Sequence, residues 1–292
     1  MNPLVSVIVL TYNHEEYVEF ALRSACTQAY RPVEVIVLDD GSTDRTREIV
    51  RGLKGSFDFA FIENEKNIGI TKSLNVALKQ AKGKYIALLA GDDCWAVDKT
   101  STQVQFMEQN KDVAVCSGRI INIDDQGRSL KTRRKREIDQ VSFLCFEDFI
   151  LLNSPFPAVV VMLRRDVLMQ VGGYDERFIM EDTPLWLKLS SLGWKLALLP
   201  DVLGYYRLHS ENLHKKRGPM FESHMRLLKE YCGHALYRRA VRAAYSRQLR
   251  FGISIGWRNW LLSIVRGFSP SRSYLINFLV GIRLSARYIR SR

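Results

Sequence analysis

Short apolar runs alternate with amphipathic stretches through the first 95 residues. Val5–Leu10 is a continuous run rich in β-branched side chains and reads as a buried strand. Asn13, with Glu16 three positions later, has the spacing of a capping box and predicts a helix carrying Tyr17, Phe20, Ala21 and Ser24 on one face. Val33–Leu38 is a second strand ending in Asp39-Asp40-Gly41-Ser42, where Ser42 reads as a helix cap ahead of Ile49, Val50 and Leu53. Phe59–Glu63 is a third, short strand, followed by an Asn67-Ile68-Gly69 turn and a helix face of Leu74, Ala77, Leu78 and Ala81. Tyr85–Leu89 is a fourth run, closed by Gly91-Asp92-Asp93. Four such alternations predict an α/β fold with a mostly parallel sheet and helices on both faces.

Past residue 95 the alternation loosens. Val113–Cys116 and Ala158–Leu163 read as strands bracketing an insertion whose Arg128 to Arg136 stretch is strongly basic. Asp182–Leu192 is a helix stopped by Gly193, and Leu196–Leu199 and Val202–Arg207 are two further strands. Near the C-terminus Trp257, Trp260, Leu261, Ile264, Val265 and Phe268 fall at helical spacing. Leu275, Leu279, Ile282, Ala286 and Ile289 do so again, flanked by Arg283, Arg287 and Arg290. The expected division is a catalytic domain over 1–215 and a basic, amphipathic helical extension over 216–292.

Composition changes this picture mainly through charge. At 47% hydrophobic and 25% charged over 292 residues, the chain is neither disordered, collagenous nor a coiled coil. Its +12 is uneven: residues 215–292 hold 17 basic and 2 acidic side chains, so the rest is near −3 and this segment near +15. Such asymmetry predicts an attachment surface, either an anionic membrane face or the solvated side of helices packed on the domain. The tail has no recognisable nucleic-acid motif, so no nucleic acid is expected as partner. Five scattered cysteines without a C-x-x-C pair point to a reducing compartment. The N-terminal run has no early positive charge, and no window holds about 18 consecutive apolar residues. The expectation is a cytoplasmic protein, peripheral on the inner face of the cytoplasmic membrane.

In sheets of this type, ligands sit outside the carboxyl ends of the strands. Those ends carry Tyr12-Asn13, Asp39-Asp40 and Asp92-Asp93. Neither G-x-G-x-x-G nor a P-loop is present, which weakens dehydrogenase and NTPase readings. The Asp92-Asp93 pair suits a hard divalent cation, Mg²⁺ or Mn²⁺, holding a diphosphate; a solvated turn accounts for it equally well. Asp40 can accept from a base or ribose. Asn67, Gly69, Lys72 and Asn75 could face phosphate or ribose, or form a plain surface turn. Asp182 is either a favourable charge at a helix start or a base for a hydroxyl proton. His209 is either structural or a nitrogen ligand for Mn²⁺.

Taken in order, seven segments resemble the family-2 inverting glycosyltransferases of the GT-A (Rossmann-like) fold. They are Val5 to Asn13, Val37 to Asp44, Asn67 to Gly69, Ala90 to Asp93, Gly172 to Phe178, Glu181 to Trp186 and Tyr206 to His209. The resemblance implies that Tyr12 and Asp40 hold the nucleobase and that Asn67, Gly69 and Lys72 lie near the nucleotide. It further implies Asp92 on ribose or metal, Asp93 on the metal, Asp182 as general base and His209 as an additional metal ligand. Ala90 stands where many members have the first Asp of D-x-D, and Thr183-Pro184 departs from the commoner acidic or small residues. The implied activity is metal-dependent transfer from a nucleotide sugar to a glycan or lipid-linked acceptor in surface polysaccharide or lipopolysaccharide assembly. A sugar nucleotidyltransferase and a non-catalytic glycan-binding or scaffold protein are the alternatives.

Overall fold

β1 (Val5–Thr11) is buried on both faces, as its apolar run, interrupted only by Ser6 before the final Thr11, favours in a central strand. It pairs in parallel with β2 (Val33–Asp39) on one side and β4 (Tyr85–Ala90) on the other. β3 (Ala60–Glu63) continues the parallel set beyond β2. The computed structural model describes residues 1–130, 139–151, 156–210 and 217–250. Connecting the parallel strands are α1 (Val18–Cys26), α2 (Thr46–Leu53) and α3 (Ile70–Leu78). Val18, Ala21, Leu22 and Ala25 of α1 join Val5, Val7 and Val9 in the core.

The second half of the sheet is mixed. After the two-residue β5 (Cys94–Trp95) and α4 (Lys99–Gln109) come β6 (Val113–Ile123), β7 (Ser142–Leu144) and α5 (Phe146–Ile150). β8 (Met162–Arg164), α6 (Arg165–Gln170), α7 (Asp182–Ser191) and β9 (Lys195–Arg207) follow. The strand order is β3-β2-β1-β4-β8-β6-β9-β5, with β7 also paired to β9. β8 runs antiparallel to both β4 and β6, whereas β6 and β9 are parallel. The described residues fall in two units, one built from 1–149 with 156–210 and the other from 150–151 with 217–250. In the second unit α8 (Arg217–Glu230) and α9 (Tyr237–Arg250) bury Leu227, Leu228, Ala240, Val241 and Ala244. No described helix is long and apolar enough to cross a membrane. The predicted stripes beyond residue 250, and the basic stretch from Lys131 to Arg136, lie outside the described residues.

Several expectations are corrected. α1 starts at Val18 without a side-chain cap, because Asn13 takes a left-handed φ of 55° and its amide oxygen accepts instead from the Thr43 N–H. Phe20 is therefore turned to solvent, 60% exposed. Ser42 caps no helix: its hydroxyl donates to Asp39 and accepts from the Asn13 N–H, closing the β2 end onto the β1 end. Ala158–Val160 is a 3₁₀ turn, and only Met162–Arg164 is strand. The two strands expected around Pro200-Asp201 are one, because register shifts opposite Ser117–Ile120 absorb the interruption. All five cysteines are free thiols.

Lys99 at the start of α4 is completely buried, its ammonium 3.7 Å from the Trp95 ring centroid and 3.4 Å from the Val161 carbonyl. Burial pushes its pKa down from 10.5 to about 7. Between those values the unfolded chain binds a proton that the folded chain does not, so this group makes stability rise with pH and costs most below pH 7. Lys99→Met should stabilise by about 2 kcal/mol at pH 6, roughly 5 °C in Tm, with most of the gain gone in melts at pH 10.

Candidate active site

The three polar strand ends meet along one edge because β2, β1 and β4 are neighbours in register. Gly91 follows β4, and its N–H continues the ladder to the Leu10 carbonyl. A Cβ on Gly91 would stand 2.7 Å from Thr11 Oγ1 and 2.8 Å from His14 Nδ1. Glycine is thus what allows His14 to fold over the start of the Asp92-Asp93 corner.

At that corner His209 Nε2 lies 2.8 Å from Asp92 Oδ2, and His14 Nε2 lies 3.7 Å from the same oxygen. The two imidazoles are edge to face, 6.3 Å between centroids. Burial opposes the charge on Asp92, but the His209 hydrogen bond and both imidazoles outweigh it and hold the carboxyl below its usual range. Burial also keeps the His14 imidazole below its ordinary value, against the pull of Asp92. Asp93 is pushed the other way, well above the usual carboxylate range, first by burial and then by the negative charge of Asp92. One of its oxygens, Oδ1, accepts from the Arg207 main-chain N–H at 2.8 Å.

Asp92 Oδ1 and Asp93 Oδ2 are buried with no hydrogen-bond partner. Buried carboxylate oxygens without donors are costly unless a cation serves them. This donor set therefore fits a divalent ion taking carboxylate oxygen. Among the described residues, however, no group of three or more His, Cys, Asp or Glu is assembled to hold a metal. His209 Nε2 is engaged by Asp92 and would have to give up that contact to ligate.

Asp40 is 3% exposed, and its carboxylate is largely committed to the protein. Oδ1 accepts from Asn64 Nδ2, the Ile68 N–H and the Ser73 hydroxyl at 2.8–2.9 Å, and Oδ2 accepts from the Gly69 N–H at 3.0 Å. That leaves one acceptor position, on Oδ2, without a protein donor. Gly69, at φ 92°, is needed for the backbone it adopts as α3 begins. Asn67 and Lys72 are exposed beside it, and Tyr12 is exposed at the end of β1. Asn75 clasps a different segment. Its amide donates to the Tyr174 carbonyl and Glu176, while its oxygen accepts from the Tyr174 N–H.

That clasp anchors the loop leading to α7, whose first residue is Asp182. Thr183 donates to Asp182 Oδ1 through both its N–H and its hydroxyl, and Pro184 occupies the first turn, where a missing N–H costs no helix bond. The unusual Thr-Pro pair thus fixes the carboxylate without disturbing the helix. Glu181 is pushed up to about 8 by burial and by the charge of Asp182. The site residues that sequence patterns did not mark are His14, Tyr17 and Arg207. His14 was within reach, being the next polar residue after Tyr12-Asn13 at a carboxyl strand end.

Residues 6–172 match the model of a family described as Glycosyl transferase family 2. Over 207 residues, 71% of this chain and 78% of the relative, the sequence is 33% identical to the UDP-Glc:alpha-D-GlcNAc-diphosphoundecaprenol beta-1,3-glucosyltransferase WfaP of Escherichia coli. It is 28% identical over 218 residues to the amylovoran biosynthesis glycosyltransferase AmsE of Erwinia amylovora, covering 74% of this chain and 80% of that one. The fold is shared with Staphylococcus aureus TarS 1-349 in complex with UDP-GlcNAc, with a TM-score of 0.68 at 21% identity, over 89% of this chain and 78% of the other. It is also shared with a mannosyltransferase of Pyrobaculum calidifontis in complex with GDP-Man and Mn²⁺, with a TM-score of 0.64 at 20% identity, over 99% and 87% of the two chains.

Proposed function

Because the chain belongs to glycosyl transferase family 2, we propose that it transfers a sugar, with inversion, from a nucleoside diphosphate sugar to a hydroxyl of a glycan or lipid-linked acceptor. The observation that carries this reading is the pair of buried, unpartnered oxygens, Asp92 Oδ1 and Asp93 Oδ2, at the carboxyl edge of the parallel strands. Asp92 and Asp93 would hold Mg²⁺ or Mn²⁺, with His209 as a further ligand after release from Asp92. When bound, the ion supplies a Lewis acid to the departing diphosphate. The remaining acceptor position on Asp40 and the exposed Tyr12 ring take the nucleobase, and Asn67, Gly69 and Lys72 lie along the nucleotide. Asp182 accepts the proton of the acceptor hydroxyl as that oxygen bonds the anomeric carbon and the bond to the diphosphate breaks. Attack from the face opposite the leaving group inverts the centre. The one relative named for both UDP-Glc and a diphosphoundecaprenol acceptor supports a lipid-linked acceptor, and the +15 segment at 215–292 supports an anionic membrane face as the place of work.

The test is a panel of UDP- and GDP-sugars with a lipid-linked acceptor in anionic vesicles, read as nucleoside diphosphate release and product glycan. Release should occur with Mn²⁺ or Mg²⁺ and fall at least about 100-fold with chelator, returning on readdition. A parallel arm with nucleoside triphosphate and sugar 1-phosphate separates the alternative: pyrophosphate release and nucleotide-sugar formation there, with no UDP or GDP released in the first arm, would identify a nucleotidyltransferase. No turnover with any donor would leave a non-catalytic glycan binder.

A further inference from the structure

Arg207, the last residue of β9, is 3% exposed, yet its guanidinium meets main-chain carbonyls at the site corner. Nε donates to the Asp92 carbonyl at 2.9 Å, and Nη1 donates to the Asp124 and Asp125 carbonyls at 2.9 and 3.0 Å. Its plane lies against the Tyr17 ring, 4.8 Å from the centroid, and the Tyr17 hydroxyl donates back to Asp125 at 3.2 Å. The other side of the corner is closed by the His209 ring, 5.1 Å from Tyr17. One side chain therefore ties the Asp92-Asp93 corner, the turn after β6 and the entry to α1. Its own N–H, placed by the same anchor, occupies Asp93 Oδ1 and leaves Oδ2 without a partner.

We propose that Arg207 is a positioning residue for divalent cation binding: it locks the Asp92 peptide and orients Asp93 so that Oδ2 is presented to the ion. This rests on the proposed holding of the ion by Asp92 and Asp93. The geometry also says which variant decides. Deleting the cation would by itself make the corner more negative and favour a metal ion. Arg207→Lys keeps the charge but cannot span three carbonyls from two segments, so it isolates the tie from the charge.

The experiment measures Mn²⁺ binding to the protein by the loss of the free-ion electron paramagnetic resonance signal beyond that which the same saturating UDP causes without protein, at 10 °C. Native protein, R207K and R207M are compared, and melts without metal serve as the control for folding. R207K should still fold at 10 °C, with a lowered Tm from the lost carbonyl bonds, and raise the half-saturating Mn²⁺ concentration roughly 10–100-fold, the usual cost of losing a residue that orients a ligand. The same variant should lose kcat more than donor KM at fixed Mn²⁺. A role in stability alone would lower Tm and leave Mn²⁺ half-saturation at 10 °C unchanged, which overturns the proposal. Should R207M fail to fold, R207K alone decides. A native protein that binds no Mn²⁺ with UDP overturns the reading of Asp92 and Asp93 as cation ligands and this proposal with it. Native binding matched by R207K overturns this proposal alone.

Discussion

Asp182→Asn should lower kcat for transfer roughly 10³-fold while leaving donor KM and Mn²⁺ half-saturation near native values. The asymmetry follows from where the residue sits. Asp182 opens α7 on a loop clasped by Asn75, and its Oδ1 is held by Thr183. The amide keeps that bond and the shape of the site but cannot accept a proton from the acceptor. The informative control is its neighbour. Glu181 is pushed up to about 8 by burial and by Asp182, so it is neutral over most of the working range. Glu181→Gln should therefore retain transfer within about threefold at pH 7. It should also change the pH dependence of stability in a defined direction. From 4.5 to about 8 the folded chain keeps a proton at Glu181 that the unfolded chain releases, so this group makes stability fall as pH rises. The amide should flatten that part of a Tm-against-pH curve. Equal losses in D182N and E181Q would remove Asp182 from the role of base.

Much of this polar edge is legible as pattern. Four apolar runs, each ending in polar residues, place Tyr12, Asp40 and Asp92 together, because neighbouring parallel strands end on the same side of a sheet. What pattern could not show is pairing at long range. Nothing local in Met162–Arg164 says that it inserts antiparallel between β4 and β6. Pro200-Asp201 looks like a break until β6 is seen to shift register beside it. Asn13 satisfies the spacing of a cap, yet the competing bond from Thr43, 30 positions away, takes its side chain. The site shows the same limit. Asp40 reads as an acceptor for ligand, but Asn64, Ile68, Gly69 and Ser73 have already claimed most of it. Arg207 and His14 reach Asp92 from 115 and 78 positions away in sequence, and only the folded sheet brings them there.

Asp93→Asn should lower transfer about 10³-fold and make the metal-free protein more stable. The first part follows from losing a charged oxygen for the ion. A Lewis acid contributes on the order of 4 kcal/mol to stabilising the departing diphosphate, about 10³ in rate at 1.36 kcal/mol per decade. The second follows from what surrounds the residue. Asp93 is 1% exposed, adjoins Asp92, and keeps Oδ2 without a donor, so its carboxylate adds repulsion and burial cost to the folded state. An amide is nearly the same size, retains an oxygen for the Arg207 N–H, and removes the charge next to Asp92. A gain of about 1–2 kcal/mol in metal-free melts is expected, with the extra stabilisation by Mn²⁺ and UDP that native protein should show largely lost. A structural turn would behave in the opposite way: Asn there would leave both stability and nucleotide-linked stabilisation where they were. Rising stability with falling activity is the signature of residues held at energetic cost for an ion, and two melts of one variant, with and without Mn²⁺ and UDP, measure it.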